Sequence, residues 1–250
     1  GNYPTGTENT ALGDTALDSV QAGGNYNVVL GSRAGTNITT GDNNVGVGAY
    51  ALCDIQTNSQ NVAIGTETLK KNTASNNTAV GYISLRCNTS GCQNTAVGSE
   101  ALKTNTTANN NTAVGHCSLT LNTTGTRNTG TGKSSLQANT TGSCNSGHGM
   151  YALYNNTEGG NNVAVGTCSL FTNTTADNNT AVGLCSLYAN TTGADNTSVG
   201  LCSLTANTTA SNNVAVGSAA LRLNTTGANN VSVGRQALCS NTTATCNTGI

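Results

Sequence analysis

Residues 94–110 read N-T-A-V-G-S-E-A-L-K-T-N-T-T-A-N-N, and this pattern recurs along the whole chain. An asparagine equivalent to Asn94 stands every 16 to 18 residues. The repeat units begin at Asn9, Asn27, Asn44, Asn61, Asn77, Asn94, Asn111, Asn128, Asn145, Asn162, Asn179, Asn196, Asn213 and Asn230, with a partial unit from Asn247. Such periodicity is typical of architectures in which each unit packs on its neighbours. We therefore treat residues 1–250 as a single repeat array and number each unit from its first asparagine.

Each unit contains two short segments of β-type sequence. Position 4 is aliphatic in twelve of fourteen units, position 5 is always Gly, and position 9 is Leu except for Gly35. Position 2 is mostly Thr or Val, so β-branched residues occupy alternate positions, as suits a strand. A following Asn-Thr-Thr-Gly stretch is typical of a turn. Because so short a segment cannot bury its own apolar side, the pattern predicts an all-β chain, a parallel β-roll or β-solenoid with coils of about 17 residues.

Position 3 carries a stripe of small residues. It is Ala, Gly or Ser in thirteen of fourteen units, and it lies on the strand face opposite to positions 2 and 4. The stripe either lines a tight coil interior or faces other chains in an oligomer. We favour the second interpretation, because the aliphatic residue at position 4 and the leucine at position 9 can already fill a thin coil.

Composition and charge exclude several classes of function. The 250 residues include 9 basic and 10 acidic side chains, so the chain lacks the electrostatic signature of a nucleic-acid partner. No apolar run approaches the ~20 residues of a membrane-spanning helix, so we expect no membrane insertion in this segment. The two histidines belong to no recognisable catalytic constellation. We expect no enzymatic activity, no cofactor and no metal, and we interpret the chain as a segment of something longer.

Two motifs suggest a family. The VAIG sequence at residues 62–65 and the TAVG sequence at residues 95–98, with Ser or Ala before a following Leu, resemble head repeats of trimeric autotransporter adhesins. The longer repeat, ending in Asn-Thr-Thr-Gly, is similar to repeats of virus and phage tail-fibre proteins. The resemblance covers nearly the whole chain and implies a left-handed parallel β-roll, usually trimeric. The present unit is longer than that of the adhesin heads, and the chain carries ten cysteines.

The resemblance implies a structural function. We expect a rigid shaft segment of an extracellular, cell-surface or virion fibre, with other copies of the chain as partners, in a homo-oligomer (a trimer is favoured) or a self-assembling filament. The alternative is an adhesin or receptor-binding head that contacts host-surface glycans.

Asparagine in the turn at position 12 supplies most of the Asn-x-Ser/Thr triplets. These residues are candidate N-glycosylation sites: Asn88, Asn105, Asn122, Asn139, Asn173, Asn190, Asn207, Asn224 and Asn241. The alternative is structural, because asparagine tolerates turn conformations and its amide can form a ladder with the asparagine of the next coil.

Cysteines occur in two arrangements. Cys168, Cys185 and Cys202 occupy position 7 of three successive units, which predicts a ladder at the ~4.8 Å strand spacing. An unstrained disulfide needs Cβ atoms ~3.8 Å apart, so we expect free, buried thiols there. Two other pairs bracket a turn and are candidate disulfides in an oxidising compartment: Cys87 with Cys92, and Cys239 with Cys246.

Thr131 and His148 replace the aliphatic residue at position 4 in two consecutive units. If position 4 faces the core, they form a polar layer inside it. The layer is either a local fault with satisfied hydrogen bonds, or an axial ion or water site formed by converging chains.

Overall fold

The computed structural model describes residues 6–250, and these residues contain β-strands and turns but no helix. The chain divides into two compact units, Gly1–Thr124 and Gly125–Ile250. The strands of the first unit are β1 (Thr10–Leu12), β2 (Val28–Leu30), β3 (Val45–Val47), β4 (Val62–Ile64), β5 (Thr78–Val80), β6 (Thr95–Val97) and β7 (Thr112–Val114). Those of the second are β8 (Thr129–Thr131), β9 (Ser146–His148), β10 (Val163–Val165), β11 (Thr180–Val182), β12 (Thr197–Val199), β13 (Val214–Val216), β14 (Val231–Val233) and β15 (Thr248–Gly249).

Within each unit every strand pairs in parallel with the strand one repeat later. Ala96 of β6 pairs with Ala113 of β7, and Ala164 of β10 pairs with Ala181 of β11. The repeat from Asn61 is one residue short, yet β4 and β5 keep their register because the missing residue belongs to the turn. The predicted all-β parallel solenoid is confirmed.

The small-residue stripe lines the interior of the coil. Ala96, Ala113 and Ala164 are 0% exposed, whereas the position 4 residue Val97 is 37% exposed. The favoured interpretation, in which the stripe faces other chains, was therefore wrong. The reason is lack of space: a Cβ added at Gly46 in this stripe would lie 3.3 Å from Leu52 Cδ1, the leucine of position 9. Small side chains fit opposite that leucine, and the larger valine points outward.

The second coil shows how the interior tolerates an exception. Gly35 stands where the other units have leucine, and a Cβ there would lie 2.9 Å from Ile38 Cδ1. Ile38 is 0% exposed and occupies position 12, where the third coil has Ile55 and the coils from Asn61 onward have asparagine. The same Cβ would lie 2.9 Å from Val29 Cγ1, so Ile38 and Val29 together fill the space that the missing leucine leaves.

Each coil bends at non-glycine residues with positive φ. The core leucines Leu102 and Leu119 have φ of 49° and 51°, and positions 7 and 17 are left-handed as well. This conformation costs roughly 1–2 kcal/mol per residue, so the coil must compensate for it. Hydrogen bonds to the next coil do so, as in the 3.1 Å bond from the Leu102 N–H to the Ser118 carbonyl oxygen.

Glycine at position 5 permits close approach of successive coils. Gly200 has φ of 137°, and a Cβ there would lie 2.5 Å from the carbonyl oxygen of Gly217. No larger residue fits between these backbones, which accounts for the unbroken glycine column.

Candidate functional surfaces

The outward face of the sheet, formed by positions 2 and 4 of the strands, carries mostly aliphatic residues at position 4 and Thr, Val or Ser at position 2. In the first unit Ile64, Val97 and Val114 are 41%, 37% and 40% exposed. In the second unit Val165 and Val233 are 38% and 40% exposed. No strand in the described residues carries an acidic or basic residue at these two positions except the histidine of β9. Exposed aliphatic ladders of this kind are typical of interaction surfaces. We call it the outward valine face.

The polar pair at position 4 lies on this outward valine face and not in the coil interior. Thr131 Oγ1 lies 2.7 Å from His148 Nδ1, and both residues are half-buried. The prediction of a polar layer inside the core is thereby corrected, because position 4 points away from the core throughout the described chain. The structure does bring the two residues together, one strand apart in the pairing of β8 with β9.

Two columns of buried asparagine run along the coils, at positions 1 and 12. At position 1, Asn162 Nδ2 donates to Asn145 Oδ1 at 3.1 Å. At position 12, Asn190 Nδ2 donates to Asn173 Oδ1 at 2.9 Å and to the Gly193 carbonyl oxygen at 2.8 Å. The amides of both columns therefore join successive coils, and each amide of the position 12 column also closes its own turn.

The position 12 column contains all nine candidate glycosylation sites. Eight of them are 0% exposed, namely Asn88, Asn105, Asn122, Asn139, Asn173, Asn190, Asn207 and Asn224. Asn241 is half-buried, and its Nδ2 donates to Asn224 Oδ1 at 3.0 Å. A glycan on Nδ2 would have to pass through the coil wall, so the folded coil corrects this prediction in favour of the amide ladder. Among the other triplets, Asn110 and Asn178 at position 17 are exposed, which a count of triplets does not reveal.

All ten cysteines are free thiols. The candidate disulfides Cys87–Cys92 and Cys239–Cys246 are not formed, and asparagine side chains close both turns instead. Asn88 Nδ2 donates to the Gly91 carbonyl oxygen at 2.7 Å, and Asn241 Nδ2 to that of Ala244 at 3.0 Å.

The cysteine ladder of position 7 exists as predicted in register, but its thiols are not buried. Cys168, Cys185 and Cys202 are each half-exposed. The leucine of position 9 lies in the coil interior, whereas the side chain of position 7 points away from it.

Side chains at positions 7 and 10 form a second surface. In the first unit it is charged: Glu67 pairs with Lys70 at 3.0 Å and with Arg86 at 2.8 Å, and Glu100 pairs with Lys103 at 3.1 Å. The hydrogen bond from Lys70 lowers the pKa of Glu67, and the Arg86 charge acts in the same direction. These pairs are half-exposed at the surface, so solvent screens them and they contribute little to stability.

In the second unit the same surface is aromatic. Tyr154, Phe171 and Tyr188 occupy position 10 of successive coils and stack with ring centroids 5.1 Å apart at each step. Tyr151 at position 7 meets Tyr154 edge-on at 5.4 Å. Sequence reasoning missed this stack, although the common repeat position of the three rings was the signal that could have found it.

Within residues 6–250 no helix has the length and apolar character to cross a membrane. The same residues contain no group of three or more His, Cys, Asp or Glu side chains arranged around one metal ion. Comparison of the chain with family models, with curated proteins and with solved structures gives no match.

Proposed function

We propose that this chain is a structural segment of an extracellular or virion fibre, and that copies of it associate through the outward valine face. The observation that carries the proposal is the contrast between the two sides of each strand. Ala113 is 0% exposed and faces the coil interior, whereas its neighbour Val114 is 40% exposed on the opposite side of the strand. Covering apolar surface stabilises an assembly by roughly 25 cal/mol per Å².

The repetition of the face supports self-association over binding of an unrelated partner. Its residues are β-branched in nearly every coil and uncharged, so identical surfaces can meet in register without burying unpaired charge. The resemblance to adhesin and tail-fibre repeats favours a trimer of left-handed coils. In such a trimer the Thr131–His148 pairs would converge, and their 2.7 Å contact would reduce the cost of desolvating them.

The experiment substitutes lysine for two exposed residues of the outward valine face. The Val97→Lys/Val114→Lys variant should keep the β-rich circular dichroism spectrum of the wild type but sediment as single chains, because two buried charges per copy would oppose association. The control is Thr107→Lys/Thr175→Lys, which adds the same charge at exposed turn positions. The control should assemble like the wild type. Equal masses for the two variants would contradict the proposal.

A further inference from the structure

The three thiols of Cys168, Cys185 and Cys202 form the most regular cluster of reactive groups on the molecule. All three residues lie at position 7, with φ of 54°, 53° and 52°. Because the three residues share this backbone conformation, their Cβ atoms repeat at the coil spacing. The ladder lies on the surface of positions 7 and 10 and is separate from the outward valine face, so its role does not depend on the proposed function.

Hydrogen bonds between coils fix the spacing of the ladder. The N–H groups of Cys168, Cys185 and Cys202 each donate at 3.0 Å to a carbonyl oxygen of the preceding coil. The acceptors are Met150, Thr167 and Leu184. The Cβ atoms of adjacent ladder cysteines therefore stand about 4.8 Å apart, the distance between neighbouring strands.

The surroundings of the ladder lack carboxylates, and the nearest charge at positions 7 and 10 is that of Arg222, at position 10 of the coil after Cys202. Positions 7 and 10 of these coils carry Cys168, Phe171, Cys185, Tyr188, Cys202 and Thr205. Tyr151 and Ala219 occupy position 7 of the flanking coils. No carboxylate is present at either position to attract a hard cation such as calcium or magnesium, which prefers oxygen ligands.

The spacing selects among the reactions open to adjacent thiols. A disulfide needs Cβ atoms about 3.8 Å apart, which is too short for this ladder. Zinc needs four ligands around one point, which a straight row cannot supply. Two metal–sulfur bonds of about 2.3 Å on opposite sides of one ion span about 4.6 Å, which nearly equals the ~4.8 Å repeat. Thiolates are also the ligands that select soft ions such as copper(I).

We propose that the cysteine ladder is a binding site for soft d¹⁰ metal ions of the copper(I) class, each held linearly between the sulfurs of adjacent coils. Two thiols lose their protons to solvent and form two metal–sulfur bonds, with no change of oxidation state. Cys185 is the essential ligand, because it has a neighbour on both sides. Three thiolates can hold two ions with the sulfur of Cys185 shared between them.

Proton competition should accompany binding. Partial burial raises the pKa of the Cys185 thiol, and the thiols of Cys168 and Cys202 raise it further. The other titratable groups beside the ladder are the phenols of Tyr151, Tyr154 and Tyr188 and the guanidinium of Arg222. Ion retention should therefore fall as the pH is lowered, because more protons must be displaced.

The test uses silver(I) as a redox-inert probe on the reduced full chain. Protein is loaded with silver, washed with excess monothiol to strip singly held ions, and its metal content is measured by mass spectrometry. The background is a variant with all three ladder cysteines replaced by serine. Above this background the wild type should retain about two ions per chain. Cys168→Ser and Cys202→Ser should each retain about one, and Cys185→Ser none.

The matched control is Cys117→Ser. Cys117 also occupies position 7, with φ of 55°, but its neighbours at that position are Glu100 and Ser134. Retention in this variant should equal that of the wild type. Serine already occurs at position 7 in Ser134, so the ladder variants should fold, which circular dichroism checks. Equal retention by wild type and Cys185→Ser would overturn the proposal. Formation of a disulfide between two ladder cysteines in air, with no uptake of silver, would also overturn the proposal.

Discussion

The Asn156→Asp variant is expected to lose about 3–5 kcal/mol of folding free energy at neutral pH, the usual cost of an uncompensated buried charge. Asn156 is 0% exposed. Its Nδ2 donates to Asn139 Oδ1 at 2.8 Å and to the Gly159 carbonyl oxygen at 2.9 Å. A carboxylate has the same shape but no hydrogen to donate, so an oxygen would face two acceptors inside the coil.

The loss should depend on pH in a defined direction. Burial raises the pKa of the introduced carboxyl above its unfolded value of about 3.9. Stability of the variant is therefore greatest below that pH, where the carboxyl is protonated in both states. It falls as the pH rises from there through the raised folded-state pKa.

Urea unfolding at neutral and mildly acidic pH measures this effect. The control is Asn155→Asp, which makes the same substitution at the adjacent half-exposed residue. The control should change stability by less than about 0.5 kcal/mol. Equal unfolding midpoints for the two variants would show that the asparagine column does not hold the coils together.

Two adjacent residues of β10 should respond oppositely to lysine. Ala164 is 0% exposed and faces the leucine side of the coil, whereas Val165 is 38% exposed on the outward valine face. Ala164→Lys should abolish the cooperative unfolding transition, because the coil interior can accommodate neither the lysine side chain nor its charge. Val165→Lys should keep the β-rich fold and weaken association. Intact folding of Ala164→Lys, measured by circular dichroism and thermal unfolding, would refute the assignment of the interior.

The repeat pattern suffices to predict the strands but not which side of them is buried. Strands fall on positions 2 to 4 because β-branched residues alternate there, and the 17-residue spacing determines which residues stack. The inside of the coil is decided by volume, since the space opposite Leu102 admits Ala96 and not Val97. Hydrophobicity alone favours the opposite assignment.

Other features lack a local signal altogether. Nothing in a leucine such as Leu102 predicts a left-handed backbone, because the conformation is supported by its hydrogen bond to the next coil. The burial of Asn190 likewise follows from stacking on Asn173, which only the folded array creates. The register of the cysteine ladder was predictable from spacing, whereas its exposure depends on the direction in which position 7 points.

Sedimentation equilibrium of the unmodified protein measures whether the outward valine face joins copies of this chain. We expect a mass that is a whole multiple of the chain mass, with three copies favoured, over a range of dilution. A mass of one chain at every concentration would contradict it.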